Sequence, residues 1–271
     1  MDLIYITNDI FRARCADEAG VDRVMVDLEI NGKNERQGHL NTVISNHNLN
    51  DVARVKESLK DSQLLVRVNP LFSGSKNEIT SCVERGADIL MLPMFKTATE
   101  VDAFVTLVAG RTKVCLLLET PQALARAHEI LKIQGIDEVH IGLNDLHLGL
   151  NLQFMFELLS GGLVDYLSNI LKENGLKFGF GGVARLNTGA LSANLILSEH
   201  LRLGSSQVIL SRDFNSVFSL GNKADSGLLF KNEVEKIRSY ITELNELDAL
   251  ALNNNKHELT KIVDSFVLSA S

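Results

Sequence analysis

Two acidic residues end the apolar run "RVMVDLEI" (23–30), which otherwise has the composition of a buried β-strand. Asp27 and Glu29 are two residues apart, and strand side chains alternate between two faces, so both carboxylates point to the same side. Burying a carboxylate is costly unless it is paired, hydrogen-bonded or bound to a metal. The spacing therefore predicts that this strand carries two acids into a polar site.

Polar side chains also follow other apolar runs directly. Arg67 follows "LLV", Glu119 follows "VCLLL", and Asn144 and Asp145 follow "VHIGL". Glu119 and Asp145 follow consecutive apolar runs, so they would be neighbours at the ends of adjacent strands. Two neighbouring carboxylates repel, and one stays protonated unless a cation intervenes. Magnesium is commonly held by two carboxylates together with water and substrate oxygens, and the planar arginine side chain suits a carboxylate or enolate oxygen. Glu119 and Asp145 are therefore candidate metal ligands, and Arg67 is the candidate for substrate binding and catalysis.

Each of these residues also has a simpler interpretation. A carboxylate after a strand is more often a helix cap or an ion-pair partner, and Asp145 would then cap the helix that follows. Arg67 would then be an interior residue paired with Glu29. The recurrence of charged residues at successive strand ends favours a site. In that site Asp27 and Glu29 would act in catalysis by holding Arg67 and the waters of the metal.

Eight short apolar runs recur along the chain, and stretches with helical spacing lie between most of them. The runs are 3–7, 24–28, 64–68, 89–93, 114–118, 139–143, 178–182 and 208–211. Alternation of strand, helix and glycine is typical of right-handed βαβ units and a parallel sheet. Eight such units predict a (β/α)8 TIM barrel, in which the strand ends meet at one mouth. A doubly wound open sheet is the alternative, but no GxGxxG follows the first run.

Helix boundaries and a C-terminal extension complete this organisation. Asn8 or Asp9 is a plausible first cap, and Thr120 with Pro121 begins the helical stretch "TPQALARAHEILKI". Residues 1–220 are predicted to form the barrel, and 221–271 two further helices with apolar stripes. The stripes are Val234, Ile237, Ile241 and Leu244, then Leu259, Ile262, Val263 and Phe266. These helices either pack on the barrel wall or form an interface between copies of the chain.

Composition excludes several classes of partner. The net charge of −7 and the pI near 5.5 argue against nucleic acid or an anionic membrane as the main partner. The N-terminus has no signal-peptide pattern, and no run approaches the roughly 18 apolar residues of a membrane-spanning helix. The three cysteines form no CxxC, so a zinc–thiolate site is not expected and a reducing cytoplasm fits.

Five segments occur in a fixed order between about residues 18 and 150: "VDLE", "LLVRVNP", "GADILMLPM", "LLLETPQAL" and "GIDEVHIGLNDLHLGL". Together they resemble the HpcH/HpaI aldolase and citrate lyase β-subunit superfamily. The resemblance implies a (β/α)8 barrel in which Mg²⁺, Mn²⁺ or another divalent cation holds an enolate during carbon–carbon bond cleavage or formation. It implies Glu119 and Asp145 as metal ligands, Arg67 as the residue that stabilises the enolate, and a homo-oligomer formed through C-terminal helices.

The sequence departs from this resemblance at the expected base. In the branch that handles free 2-oxo acids a histidine follows the second acid of strand two, and that position is Ile30 here. A glutamine of that branch is replaced by Leu117. The candidate bases are a water held by Asp27 or Glu29, and His39 of the polar segment that follows.

The expected activity is a metal-dependent carbon–carbon lyase or aldolase that acts on a pyruvate-like 2-oxo acid. Three alternatives remain: an acyl-CoA lyase of the citrate lyase β type, a non-catalytic metabolite-binding barrel, and a lyase for a phosphorylated or sugar-derived acid. In the last case Arg185 and Arg212 would bind the anion, near the glycine-rich "GFGGVARLNTG" after strand seven. Asn144, Arg185 and Arg212 are therefore substrate-binding candidates.

Overall fold

The chain forms a closed barrel of eight parallel strands in a computed structural model that describes residues 1–30, 47–219 and 222–270. The strands are β1 (Asp2–Ile6), β2 (Arg23–Asp27), β3 (Gln63–Arg67), β4 (Ile89–Leu92), β5 (Lys113–Leu118), β6 (Glu138–Ile141), β7 (Lys177–Val183) and β8 (Gln207–Leu210). They follow one another in chain order, and β8 closes against β1. The (β/α)8 barrel predicted from the eight apolar runs is confirmed.

Helices cover the outside of the barrel. They are α1 (Ile10–Glu18), α2 (Leu49–Ser58), α3 (Ser75–Glu84), α4 (Ala98–Val108), α5 (Pro121–Ala125), α6 (Ala127–Ile130), α7 (Leu143–Gly149), α8 (Glu157–Ser160), α9 (Leu163–Glu173), α10 (Ala193–Leu203) and a 3₁₀ helix (Arg212–Ser219). Asp9 caps α1, and Thr120 caps α5 with Pro121 in its first turn, as the sequence predicts. The helical stretch after Thr120 is divided at Arg126, where φ is −111°.

Apolar side chains fill the middle of the barrel interior. Ile4, Met25, Leu65 and Ile89 are at most 1% exposed, and they belong to a cluster separate from the larger core between strands and helices. Because both faces of each strand are buried, the strands read as nearly continuous apolar runs. Polar side chains of the inner face therefore lie at the two ends of the barrel.

A buried ion pair closes the N-terminal end of the barrel. Arg23 pairs with Glu138, with one separation, Nη2 to Oε2, of 3.0 Å. The same guanidinium donates to Gln207 Oε1 at 3.0 Å and to Asp2 Oδ2 at 2.8 Å. One arginine side chain on β2 thus binds β6, β8 and β1 together.

Two C-terminal helices, α11 (Lys223–Asn245) and α12 (Ala249–Ala270), lie on the helical layer. The helix α11 packs on α1 and on the 3₁₀ helix, and α12 packs on α10 and α8. The first predicted stripe is buried: Val234, Ile237, Ile241 and Leu244. In the second stripe Leu259 and Val263 are buried, whereas Ile262 and Phe266 are 37% and 43% exposed. Packing on the wall is confirmed for the buried residues, and the domain boundary at 220 and the oligomer interface stay predictions.

Two further sequence-based expectations concern membrane-spanning helices and the state of the cysteines. Within the three described ranges, no helix combines the length and the hydrophobicity needed to cross a membrane. Cys15, Cys82 and Cys115 are buried, free thiols. Burial raises the pKa of each thiol, which keeps all three in the unreactive protonated form.

Replacing Arg23 by Met should lower the free energy of unfolding by about 3–5 kcal/mol, because Glu138 would remain as a buried carboxylate without its counter-charge. Urea denaturation followed by circular dichroism measures the change. The double variant Arg23→Met/Glu138→Leu removes both charges and should recover most of the loss. If Arg23→Met were as stable as the wild type, the ion pair would not stabilise the N-terminal end of the barrel.

Candidate functional site

The mouth of the barrel, at the carboxyl ends of the strands, encloses a cavity of about 630 Å³. Strand ends and the turns after them place six charged residues on its wall: Asp27, Arg67, Glu119, Asp145, Arg212 and Asp213. Asn144, a predicted substrate-binding residue, lines the same cavity. The structure thus brings most of the sequence-predicted residues to one cavity, as parallel strands in a closed barrel require.

Asp27, the last residue of β2, and Glu29 just after the strand both lie against Arg67 of β3. Arg67 donates from Nε and Nη2 to the two carboxylate oxygens of Asp27, at 2.8 and 2.7 Å, and its Nη1 lies 3.4 Å from Glu29 Oε2. Burial alone would lower the pKa of Arg67, but the charges of Asp27, Glu29 and Glu119 outweigh burial and raise it. Arg67 is therefore an oriented, permanently charged donor on the cavity wall.

Glu119 places a buried carboxylate directly after β5. The residue is 3% exposed, and its Oε1 accepts a hydrogen bond from the backbone N–H of Met94 at 3.2 Å. Burial raises the pKa of Glu119 well above its ordinary range, and the charges of Asp145 and Glu29 add to this against the opposing effect of Arg67. The surroundings of Glu119 thus favour its neutral carboxyl, and Arg67 offsets this only in part.

Gly142 makes room for Glu119 at the start of α7. A methyl group on Gly142 would lie 2.7 Å from Glu119 Cβ and 2.9 Å from its Oε2, closer than packed atoms approach. Gly142 is also the N-terminal cap of α7, and no side chain caps this helix. The simpler interpretation of Asp145 as a helix cap is therefore wrong. Its carboxylate lies in the first turn of α7 and on the cavity wall.

Glu119 and Asp145 have the chemistry of a divalent-cation site. Among the residues that the structure describes, no group of three or more His, Cys, Asp or Glu side chains is placed to hold a metal ion. Two carboxylates are nevertheless a common protein contribution to a magnesium site, because Mg²⁺ keeps water or substrate as its other ligands. A cation beside Glu119 would also favour the ionised form that burial and Asp145 disfavour.

The two arginines expected to bind an anion have different surroundings. Arg185 donates from Nε and Nη2 to the two oxygens of Asp213, at 2.8 and 3.1 Å, and Thr188 Oγ1 donates to the same carboxylate at 3.0 Å. These bonds, with that of Arg185 the strongest, lower the pKa of Asp213 to about 2. Arg212 lies on the described cavity wall, and Arg185 does not. Arg185 thus braces the turns after β7 and β8.

Two histidines of the cavity wall are not identified as site residues by the sequence. His47 accepts a hydrogen bond at Nδ1 from the backbone N–H of Asp27 at 2.9 Å. His140 donates from Nε2 to the carbonyl of Gly181, also at 2.9 Å. Strand alternation places His140 on the inner face, whereas no sequence pattern indicates where His47 returns to the barrel. His39, the histidine considered as a base, lies outside the described residues.

Comparisons with known proteins agree with this architecture. A family profile described as HpcH/HpaI aldolase/citrate lyase matches residues 8–154. The chain is similar in structure to an HpcH/HpaI aldolase from Desulfitobacterium hafniense DCB-2, with 15% identity, 91% of this chain and 93% of that chain covered, and a TM-score of 0.60. No curated protein matches the sequence.

Two further solved structures resemble the chain. One is an HpcH/HpaI aldolase/citrate lyase family protein from Burkholderia cenocepacia J2315, with 16% identity, 91% of this chain and 95% of that chain covered, and a TM-score of 0.63. The other is citrate synthase SbnG, with 14% identity, coverage of 86% and 94%, and a TM-score of 0.61. At these identities the likeness shows the fold.

Acid should destabilise the protein through His140. Burial depresses the pKa of His140 from its ordinary 6.5 to about 4, so between these pH values the unfolded chain binds a proton that the folded chain does not. The free energy of unfolding should therefore be highest above pH 6.5 and fall by about 3 kcal/mol from this residue as the pH drops to about 4. His200 is also buried with a depressed pKa and acts in the same direction.

Urea denaturation at a series of pH values measures this effect. His140→Gln retains a donor for Gly181 and should flatten the pH dependence by about one proton. His257→Gln, on the exposed side of α12, is the matched control and should leave the slope unchanged. An unchanged slope in His140→Gln would mean that another group causes the acid sensitivity.

Proposed function

The chain belongs to the HpcH/HpaI aldolase/citrate lyase family, and we propose that it is a divalent-metal-dependent carbon–carbon lyase. Its substrate would be a pyruvate-like 2-oxo acid, and a bond would form or break next to the enolate of that acid. The observation that carries the proposal is the buried carboxylate of Glu119, which shares the cavity with Asp145 and with the permanently charged Arg67.

Arg67 would bind the oxygen of the substrate on which negative charge develops. Asp27 takes up Nε and one Nη2 proton, and Glu29 lies beside Nη1. A guanidinium has further N–H groups, so Arg67 can still donate to a substrate carboxylate or enolate oxygen. Because Asp27 fixes the plane of the guanidinium, these donors are oriented before the substrate arrives, which is the arrangement that stabilises a transition state.

Glu119 and Asp145 would hold the cation, which is Mg²⁺, Mn²⁺ or another divalent ion, through their carboxylate oxygens. When bound, the cation supplies Lewis-acid stabilisation of the charge that develops on the enolate. The backbone N–H of Met94 restrains Glu119 at Oε1. Burial of Glu119 keeps water away from its carboxylate and so strengthens its attraction to any positive charge in the cavity.

Asp27 and Glu29 would hold a water molecule that accepts the proton of the aldol hydroxyl group. Position 30, where the family resemblance implies a histidine base, is an isoleucine with 52% exposure. His47 already uses Nδ1 as the acceptor for the N–H of Asp27, so its neutral ring carries the proton on Nε2 and acts as a donor. A water held by the carboxylates of Asp27 or Glu29 is therefore the proton acceptor in this proposal.

Hydrogen–deuterium exchange at the methyl group of pyruvate tests the proposed function. Pure protein in D₂O with Mg²⁺ or Mn²⁺ should exchange the methyl protons, seen as loss of the proton NMR signal, because the enolate forms without a second reactant. EDTA should abolish the exchange. Acetyl-CoA is the parallel substrate, and exchange on acetyl-CoA alone would replace the 2-oxo acid by a thioester.

Glu119→Gln should abolish the exchange and weaken Mn²⁺ binding in calorimetry by roughly 100-fold, because one of two anionic ligands becomes neutral. Glu129→Gln, on the exposed side of α6, is the matched control. Wild-type exchange in Glu119→Gln, or exchange that survives EDTA, would refute the metal-dependent mechanism.

A further inference from the structure

Hydrogen-bond donors line one side of the cavity, where β8 ends and the 3₁₀ helix begins. We call this side the donor wall and define it as Ser211, Arg212 and Asn215, all of which line the cavity. Gly181 and Gly182 of β7 adjoin it and add no side chain. Around the barrel, β8 lies three strands from β5, so the donor wall is separate from the candidate cation site.

Asn215 is oriented with its amide nitrogen as the available group. Its Oδ1 accepts a hydrogen bond from the hydroxyl of Tyr5 at 2.6 Å and lies 3.5 Å from Arg12 Nη1. Burial raises the pKa of Tyr5, so this hydroxyl stays protonated and keeps donating. An amide whose oxygen is engaged in this way has two N–H donors left. Asn215 therefore offers donors to a ligand in the cavity.

The other polar groups of this side are donors or are already neutralised. Ser211 Oγ accepts a hydrogen bond from the backbone N–H of Asp213 at 3.3 Å, which leaves its own hydroxyl proton to donate. The carboxylate of Asp213 is bound by Arg185 and Thr188. Its charge is thus compensated within the protein and does not repel an anion strongly.

Arg212 supplies a positive charge that the described part of the chain does not use. Arg23, Arg67 and Arg185 each form ion pairs at 2.8 Å or less, whereas Arg212 is exposed and its side chain forms neither an ion pair nor a hydrogen bond with any described residue. Arg67 is matched by Asp27, so Arg212 is the unmatched cation among the described residues of the wall. A guanidinium beside neutral donors is the arrangement that binds a carboxylate or a phosphate.

We propose that the donor wall binds an anionic group, a carboxylate or a phosphate, at the far end of the carbonyl compound that reacts with the enolate. This role rests on the proposed function, since it assigns the second reactant of that reaction. A cavity of about 630 Å³ lies within the usual range for small-molecule sites. It has room for a three-carbon oxo acid and a short acceptor, with the acceptor's anion away from Glu119.

Matched pairs of aldehydes test the proposal in condensation with pyruvate. The pairs are pentanal with 5-oxopentanoate, and glyceraldehyde with glyceraldehyde 3-phosphate, so the two arms separate a carboxylate from a phosphate. The wild type should show a lower KM for the anionic member of one pair. Arg212→Gln should raise that KM by roughly 10- to 100-fold and bring the ratio of the two KM values towards one. Arg14→Gln, on the exposed side of α1, is the matched control.

Asn215→Asp is a second variant that does not depend on the first. It has nearly the same shape and keeps the acceptor for Tyr5, but it replaces the donor by a negative charge. The KM for the anionic aldehyde should rise by at least tenfold. Equal KM values within both pairs for the wild type, or a preference that survives in Arg212→Gln, would overturn the inference.

Calorimetry without catalysis distinguishes the two proposals. Glutarate and inorganic phosphate, titrated in the absence of divalent cations, should bind the wild type and bind Arg212→Gln at least tenfold more weakly. Such binding in a protein that does not exchange pyruvate would keep the anion site and refute the proposed function. Exchange on pyruvate without Arg212-dependent binding would keep the function and refute the donor wall.

Discussion

A charge inside a closed barrel is costly unless an opposite charge, hydrogen bonds or a metal ion compensates it, because burial removes it from water. At the N-terminal end of the barrel, the charges of Arg23 and Glu138 compensate each other. At the mouth, Arg67 and Asp27 do the same. Glu119 is compensated only in part, since its buried carboxylate has a raised pKa despite the nearby guanidinium. The incomplete compensation is local, and it marks the part of the barrel where a cation has the most to contribute.

Strand burial and barrel closure explain how much of the fold and of the candidate site the sequence could predict. The eight runs stand out because strands buried on both faces are almost continuously apolar, and barrel closure brings their polar ends together, so Arg67 and Glu119 were placed correctly at the mouth. Contacts that depend on side-chain rotamers and on the paths of turns could not be predicted from the sequence. No pattern indicates that Arg185 turns to Asp213, or that His47 returns to the backbone of β2. The bulge in β7, which leaves the carbonyl of Gly181 to His140, is equally invisible in one sequence.

The cavity is chemically asymmetric as a result. One side carries the carboxylates that follow β5 and β6, and the other carries the donor wall. The asymmetry has local causes: Gly142 admits Glu119 on one side, and Tyr5 turns Asn215 on the other. Each side depends on a different supporting residue, so the two halves of the site can be altered separately by mutation.

The closed N-terminal end of the barrel has a consequence for the kinetics of binding and release. Arg23 and its partners block the N-terminal end, and the apolar layer above them is at most 1% exposed at Ile4, Met25, Leu65 and Ile89. As far as the described residues define the barrel, molecules therefore enter and leave this cavity through the mouth. Two reactants that occupy the carboxylate side and the donor wall would share this entrance. A product that stays bound would therefore delay the next substrate, because both pass through the same opening.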